Sequence, residues 1–131
     1  SAGARVVPIP YEASNDEVDD LLSSVNGILL PGGGCDKPAA FQYAYGEIIK
    51  MNENGEHFPI WATCLGFEWV VMAEGGDSAL QSGFDAENIS LALNLTDLAS
   101  DAVMFDNMEE QLTWLGDEAL TMNNHMGGIE P

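Results

Sequence analysis

The chain has 131 residues, 46% of them hydrophobic, enough to bury the core of one domain. Its 22 acidic residues stand against three basic ones, Arg5, Lys37 and Lys50, for a formal charge of −19. That balance argues against nucleic acid and against anionic membranes as partners, and no apolar run is long enough to span a bilayer.

The acids are spread along the chain, which reads as a solvated acidic surface rather than an acidic tail. No Asp-x-Asp-x-Asp-Gly spacing occurs, so no metal site is expected, and no motif calls for a cofactor. Two cysteines, Cys35 and Cys64, are too few for a disulfide scaffold. The opening Ser1-Ala-Gly-Ala-Arg5 is not a signal peptide. It reads as the end of a helix running into a strand, so the chain is expected to begin inside a domain.

Arg5 to Ile9 is predicted as a short strand, ended by Pro8 and Pro10. Ser14-Asn-Asp-Glu17 matches a capping box, and Val18, Leu21, Leu22 and Val25 follow at helical spacing. Asn26-Gly27 ends that helix. Ile28-Leu29-Leu30 is wholly apolar, as suits a parallel strand covered on both faces. Pro31-Gly-Gly-Gly-Cys35 follows at once. Pro38 opens a second helix, with Phe41, Tyr45, Ile48 and Ile49 as its apolar stripe. Phe58 to Ala62 is a second core strand, Thr63-Cys64-Leu65-Gly66 a tight corner, and Phe67 to Glu74 a third helix. This β-α-β-α-β-α order predicts an α/β fold with a parallel sheet flanked by helices on both faces.

Beyond Gly75 the pattern loosens. Residues 78–87 read as irregular, 89–95 as a strand, and 102–105 as extended. Asn107 is expected to cap a short helix that buries Leu112 and Leu115. Ala119 to Met122 reads as a strand and 123–128 as a loop holding His125. Two glycosylation sequons, Asn88-Ile-Ser90 and Asn94-Leu-Thr96, point to the secretory pathway.

A cysteine at a strand-to-helix corner faces the unpaired N–H groups of the new helix, which favour thiolate over thiol. A buried cysteine at a strand end is the alternative. Ligands of parallel α/β sheets bind at the carboxyl ends of the strands, where both Cys64 and Gly32-Gly33-Gly34 fall. A glycine loop facing a thiolate is the layout of acyl transfer, with N–H groups of the loop and of Leu65 holding the oxyanion.

Together, Ile28-Leu-Leu-Pro-Gly-Gly33 and Phe58-Pro-Ile-Trp-Ala-Thr-Cys-Leu-Gly-Phe-Glu68 resemble gamma-glutamyl hydrolase, of the class I glutamine-amidotransferase-like superfamily. Leu93-Asn-Leu-Thr96 and Asn124-His125 resemble further segments of that family, so the resemblance covers most of the chain. It implies a flavodoxin-like sheet and hydrolysis of gamma-linked glutamate from folyl and antifolyl polyglutamates, in lysosomes, vacuoles or outside the cell. By motif, Cys64 is the nucleophile and Gly33 and Leu65 supply oxyanion N–H groups. Gly32, Gly34, Glu68 and His125 line the substrate site, and none of them is the general base. A homodimer or larger assembly is left open.

Three departures qualify this. The family's catalytic His lies in a Gln-Trp-His-Pro-Glu segment beyond position 131, and its first strand also lies outside, so residues 1–131 read as a partial, internal piece of the domain. Ala62 stands where the family has Gly. The surface is acidic although polyglutamate is itself anionic, with Lys37 as the cation beside the glycine loop. Cys35, just past that loop, is a candidate disulfide partner for Cys64. The rival reading is a non-catalytic member of the same fold, acting as a structural or binding subunit; a glutamine amidotransferase domain comes third.

Overall fold

The computed structural model describes residues 3–129. They fall into two compact units, with the boundary between Leu80 and Gln81.

The first unit begins with extended chain. Arg5 to Ile9, expected as a strand, pairs with no ladder, and Val6 and Val7 are exposed. Pro8 and Pro10 have no N–H to give a neighbouring strand. The helix end read at Ser1-Ala-Gly-Ala-Arg5 lies partly outside the described residues.

Helix α1 (Asn15–Ser24) starts at the expected capping box. The Ser14 N–H donates to Glu17 Oε2 at 2.8 Å, and the Glu17 N–H donates back to Ser14 Oγ at 3.4 Å. These bonds, the one from the Ser14 backbone foremost, hold the Glu17 carboxyl below its ordinary range. Val18 and Leu22 are one turn apart and both are buried. Each contributes about 1.5–3 kcal/mol by leaving water.

Strand β1 (Ile28–Leu30), helix α2 (Ala39–Glu53), strand β2 (Ile60–Ala62) and helix α3 (Leu65–Gly75) follow. The strands pair in parallel, Ile28 beside Ile60, Leu29 beside Trp61 and Leu30 beside Ala62. The core joins Val18 and Leu22 of α1 to Ala40, Ala44 and Ile48 of α2 and to Phe58, with Ile28 and Ile60 packed against them. Of the stripe expected for α2, Phe41 and Ile48 are buried and Tyr45 and Ile49 half-buried, while Ala40 and Ala44 join the core as well.

Phe58 enters this core just before β2. The Asn52 side chain anchors it there, accepting from the Phe58 N–H at 3.0 Å and donating to the Phe58 carbonyl at 2.8 Å. Period-two alternation puts Leu29 and Trp61 on the opposite face of the sheet. Each is 61% exposed, so within the described residues the helices cover one face of β1 and β2, not the two expected.

The second unit is built on an antiparallel pair, β3 (Gln81–Leu91) and β4 (Thr121–Gly128). Helix α4 (Glu109–Asp117) lies between them in sequence, after two 3₁₀ turns at Ala99–Asp101 and Val103–Phe105. Much of this differs from the expectation. The irregular stretch 78–87 is mostly strand, and the loop of 123–128 is β4, with His125 in the ladder opposite Ala86. Register shifts between Ser82 and Ile89, with positive φ at Gly83 and Asn88, break the alternation that would mark a strand. Residues 103–105 form a 3₁₀ turn rather than extended chain. Met108, not Asn107, is the residue before α4, and Gly116 lies inside that helix.

Candidate functional site

The carboxyl ends of β1 and β2 lie side by side, so the residues that follow them meet. After β1 the chain runs through Pro31 and the three glycines; after β2 it runs through Thr63 and Cys64 into α3. Three backbone bonds close the corner. The Thr63 N–H donates to the Leu30 carbonyl at 2.9 Å. The Gly66 N–H lies 3.2 Å from the Pro31 carbonyl and 3.0 Å from that of Thr63. Trp61 Nε1 adds a bond to Thr63 Oγ1 at 3.2 Å.

Cys64 is the N-cap of α3, with φ 55° and ψ −120°. A non-glycine residue in that region costs on the order of 1–3 kcal/mol and needs its surroundings to hold it. Ala62 does not share the burden, since it has no positive φ and sits in the ladder beside Leu30. Ala62 therefore fits the strand, and the sharp bend falls on the cysteine.

Helix α3 starts at Leu65, two residues earlier than the sequence suggested, because Gly66 can lie against β1. A Cβ on Gly66 would overlap the Leu30 carbonyl oxygen and stand 2.5 Å from Leu30 Cβ. On the other side of the corner, a Cβ on Gly32 would lie 3.0 Å from Cys64 Cβ and 3.3 Å from its Sγ. A Cβ on Gly33 would meet Leu65 Cδ2 at 3.6 Å, whereas one on Gly34 would meet nothing within 4 Å. Gly32 and Gly33 thus face the cysteine corner directly, and Gly34 points into open space.

Glu68 lies one turn into α3, half-buried, and its N–H donates to the Cys64 carbonyl at 3.0 Å. His57 is exposed and precedes β2, so it sits at the end of the sheet away from Cys64. His125 belongs to β4 of the second unit and is half-buried. Asn88 and Asn94 are both exposed, Asn88 on the irregular part of β3. Cys35 and Cys64 are free thiols, Cys35 exposed and Cys64 half-buried.

Lys37 has a partner that its place beside the glycine loop did not announce. Its ammonium pairs with Asp77 at 3.2 Å. Asp77 follows the C-terminal end of α3, whose 11 residues extend about 16 Å. Among the described residues, no group of three or more His, Cys, Asp or Glu side chains is placed to hold a metal ion, and no helix is long and apolar enough to cross a membrane.

Sequence reasoning missed the glycine packing, because spacing alone does not tell which of several glycines touches which strand. The small residues at positions 32 and 66, flanking a cysteine corner, were the signal available.

Gamma-glutamyl hydrolase B of Dictyostelium discoideum is 37% identical to the chain over 138 residues, a match that covers 100% of the chain. Gamma-glutamyl hydrolase of Mus musculus is 40% identical and that of Homo sapiens 37%, each over 95% of the chain. The chain is homologous to gamma-glutamyl hydrolases. It spans about 40% of the length of these relatives, 40% of the first and 41% of the other two. No family model matches the chain. The similarity to gamma-glutamyl hydrolases takes in both units, the cysteine corner and β4 alike.

Proposed function

We propose that this chain carries the nucleophile of a cysteine-dependent hydrolase that cleaves gamma-glutamyl bonds, with folyl and antifolyl polyglutamates as the substrate class. The observation that supports it is the left-handed Cys64 at the start of α3, packed against Gly32, in a chain whose relatives are named gamma-glutamyl hydrolase.

In this reading the Cys64 sulfur attacks the gamma-carbonyl carbon of a glutamyl residue, and the carbonyl π pair moves onto oxygen. The N–H groups of Gly33 and Leu65 stabilise that oxyanion. Leu65 opens a helix, so its N–H has no intrahelical acceptor. The Gly66 N–H is already engaged by Pro31 and Thr63 and does not serve. The oxyanion then collapses, the C–N bond breaks, the amine leaves with a proton, and a thioester remains for water to hydrolyse. On the first unit Gly32, Gly34 and Glu68 line the substrate site, His125 of the second unit is a separate substrate-binding candidate, and the general base is assigned to neither His57 nor His125. Glycans on the exposed Asn88 and Asn94 fit passage to a lysosome, a vacuole or the cell exterior.

The test is covalent capture by a glutamate analogue with an electrophile at its gamma-carbon. The expected result is one adduct on Cys64, slowed by a gamma-glutamyl peptide and lost in Cys64→Ala. An adduct on Cys35 alone, or none, overturns the proposal.

A second reading, a non-catalytic subunit of the same fold, is favoured by the charge distribution. A chain at −19 whose Lys37 is engaged by Asp77 repels a polyanionic substrate. Under that reading Cys64 stays unmodified by the analogue.

A further inference from the structure

We propose that Cys35 is a resolving thiol for Cys64, so that a hydroperoxide converts the corner reversibly into an intramolecular disulfide. The inference rests on the reading of Cys64 as a nucleophile.

The loop geometry carries it. Gly32 lies against Cys64, and Cys35 follows three residues later on an exposed stretch without regular secondary structure. This stretch is fastened at each end. The Gly66 N–H donates to the Pro31 carbonyl at 3.2 Å, and the Tyr11 hydroxyl donates to the Asp36 carbonyl at 2.9 Å. Between the two fastenings lie only Gly32, Gly33, Gly34 and Cys35. Gly33 and Gly34 have room for conformational change, since a Cβ would meet only Leu65 Cδ2 at 3.6 Å at the first and nothing within 4 Å at the second.

A four-residue β-turn brings the Cα atoms of its ends within about 7 Å, and glycines suit its central positions. Closing Gly32 to Cys35 into such a turn folds Cys35 back over the residue that touches Cys64. Cys35 then lies within about 7 Å of the residue that touches Cys64, and linkage requires the pair to reach a Cα separation of roughly 4.4–6.8 Å.

The chemistry balances with the hydroperoxide as oxidant. The Cys64 thiolate attacks the terminal peroxide oxygen, the O–O bond breaks, and the leaving oxygen takes a proton. Cys64 becomes a sulfenic acid. The Cys35 thiolate then attacks the Cys64 sulfur, the S–O bond breaks, and hydroxide leaves as water. Each sulfur is oxidised by one electron and the peroxide is reduced by two.

The test treats the whole chain with hydrogen peroxide and maps peptides without reduction. We expect a Cys35–Cys64 linked peptide, loss of both free thiols at a rate independent of protein concentration, and recovery with dithiothreitol. In Cys35→Ser the link is lost and Cys64 proceeds to sulfinic acid. In Tyr11→Phe, where Asp36 is unfastened, linkage is faster. A wild-type Cys64 that goes to sulfinic acid as readily as in Cys35→Ser, or a link formed only between molecules, overturns the proposal. Iodoacetamide separates the two ways of failing. A Cys64 that alkylates but never links overturns this inference alone, and one inert to both reagents overturns the nucleophile reading with it.

Discussion

The side chain of Cys64 occupies the space that a side chain on Gly32 would need, 3.0 Å from Cβ to Cβ. Gly32→Ala must therefore push the sulfur by a few tenths of an ångström. A misplacement of 1 Å costs on the order of a hundredfold in the rate of a bound reaction, so roughly tenfold slower capture of Cys64 by the gamma-electrophilic glutamate analogue is expected. Gly46→Ala, on α2 with nothing within 4 Å of its Cβ, leaves the rate unchanged. Equal rates in the two variants would show that the loop does not position the sulfur.

Gly66 packs even more tightly, on the backbone of Leu30 rather than on a movable side chain. Gly66→Ala has to part α3 from β1. A loss of about 1–3 kcal/mol or more is expected, read as a fall in the urea midpoint. Gly46→Ala, on α2 with nothing within 4 Å of its Cβ, is the control and should be neutral or stabilising. A Gly66→Ala variant as stable as this control contradicts the packing.

Asn52 joins the last turn of α2 to the entry of β2. Its Nδ2 donates to the Ile48 carbonyl at 3.0 Å as well as to that of Phe58. Asn52→Ala removes these bonds and the one from the Phe58 N–H, for an expected loss of about 1–3 kcal/mol. Amide exchange at Phe58 should quicken with it. Unchanged exchange at that amide would mean the side chain holds nothing in place.

Tyr45 sets an alkaline limit. Burial first, and then its 2.6 Å bond to Glu74 Oε1, push its phenol from 10.0 up to about 12. The fold favours the protonated phenol, so this contribution is complete below pH 10 and disappears as pH rises through about 12. An absorbance titration should show a late-ionising tyrosine that is missing in Tyr45→Phe, whose stability falls less between those limits. A Tyr45 that ionises at the ordinary value would remove the effect.

The first unit was largely legible because its signals are local. The capping box of Ser14 and Glu17, the apolar triplet at 28–30 and the strand-corner-helix of 58–74 each declare themselves within a few residues. What sequence alone obscured depends on contact. Ala40 and Ala44 become core only because α1 lies across them. Lys37 gains an acidic partner only because Asp77 lies within reach. In the second unit, the register shifts around Asn88 disrupt the alternation from which a strand is read, so β3 and β4 surfaced as fragments. Cys64 was found by its neighbours in sequence, but its left-handed backbone is set by β1 and α3 packing on each other through Gly66.

The bare pair Leu29 and Trp61 gives the acidic surface a second meaning. Greasy faces on separate molecules attract, and at neutral pH the charge of −19 that each molecule carries keeps them apart. Toward the isoelectric point of about 4.1 that standoff lapses. Keeping this chain in solution is then a question of buffer as much as of folding, and an acidic assay would meet clumping before it met chemistry.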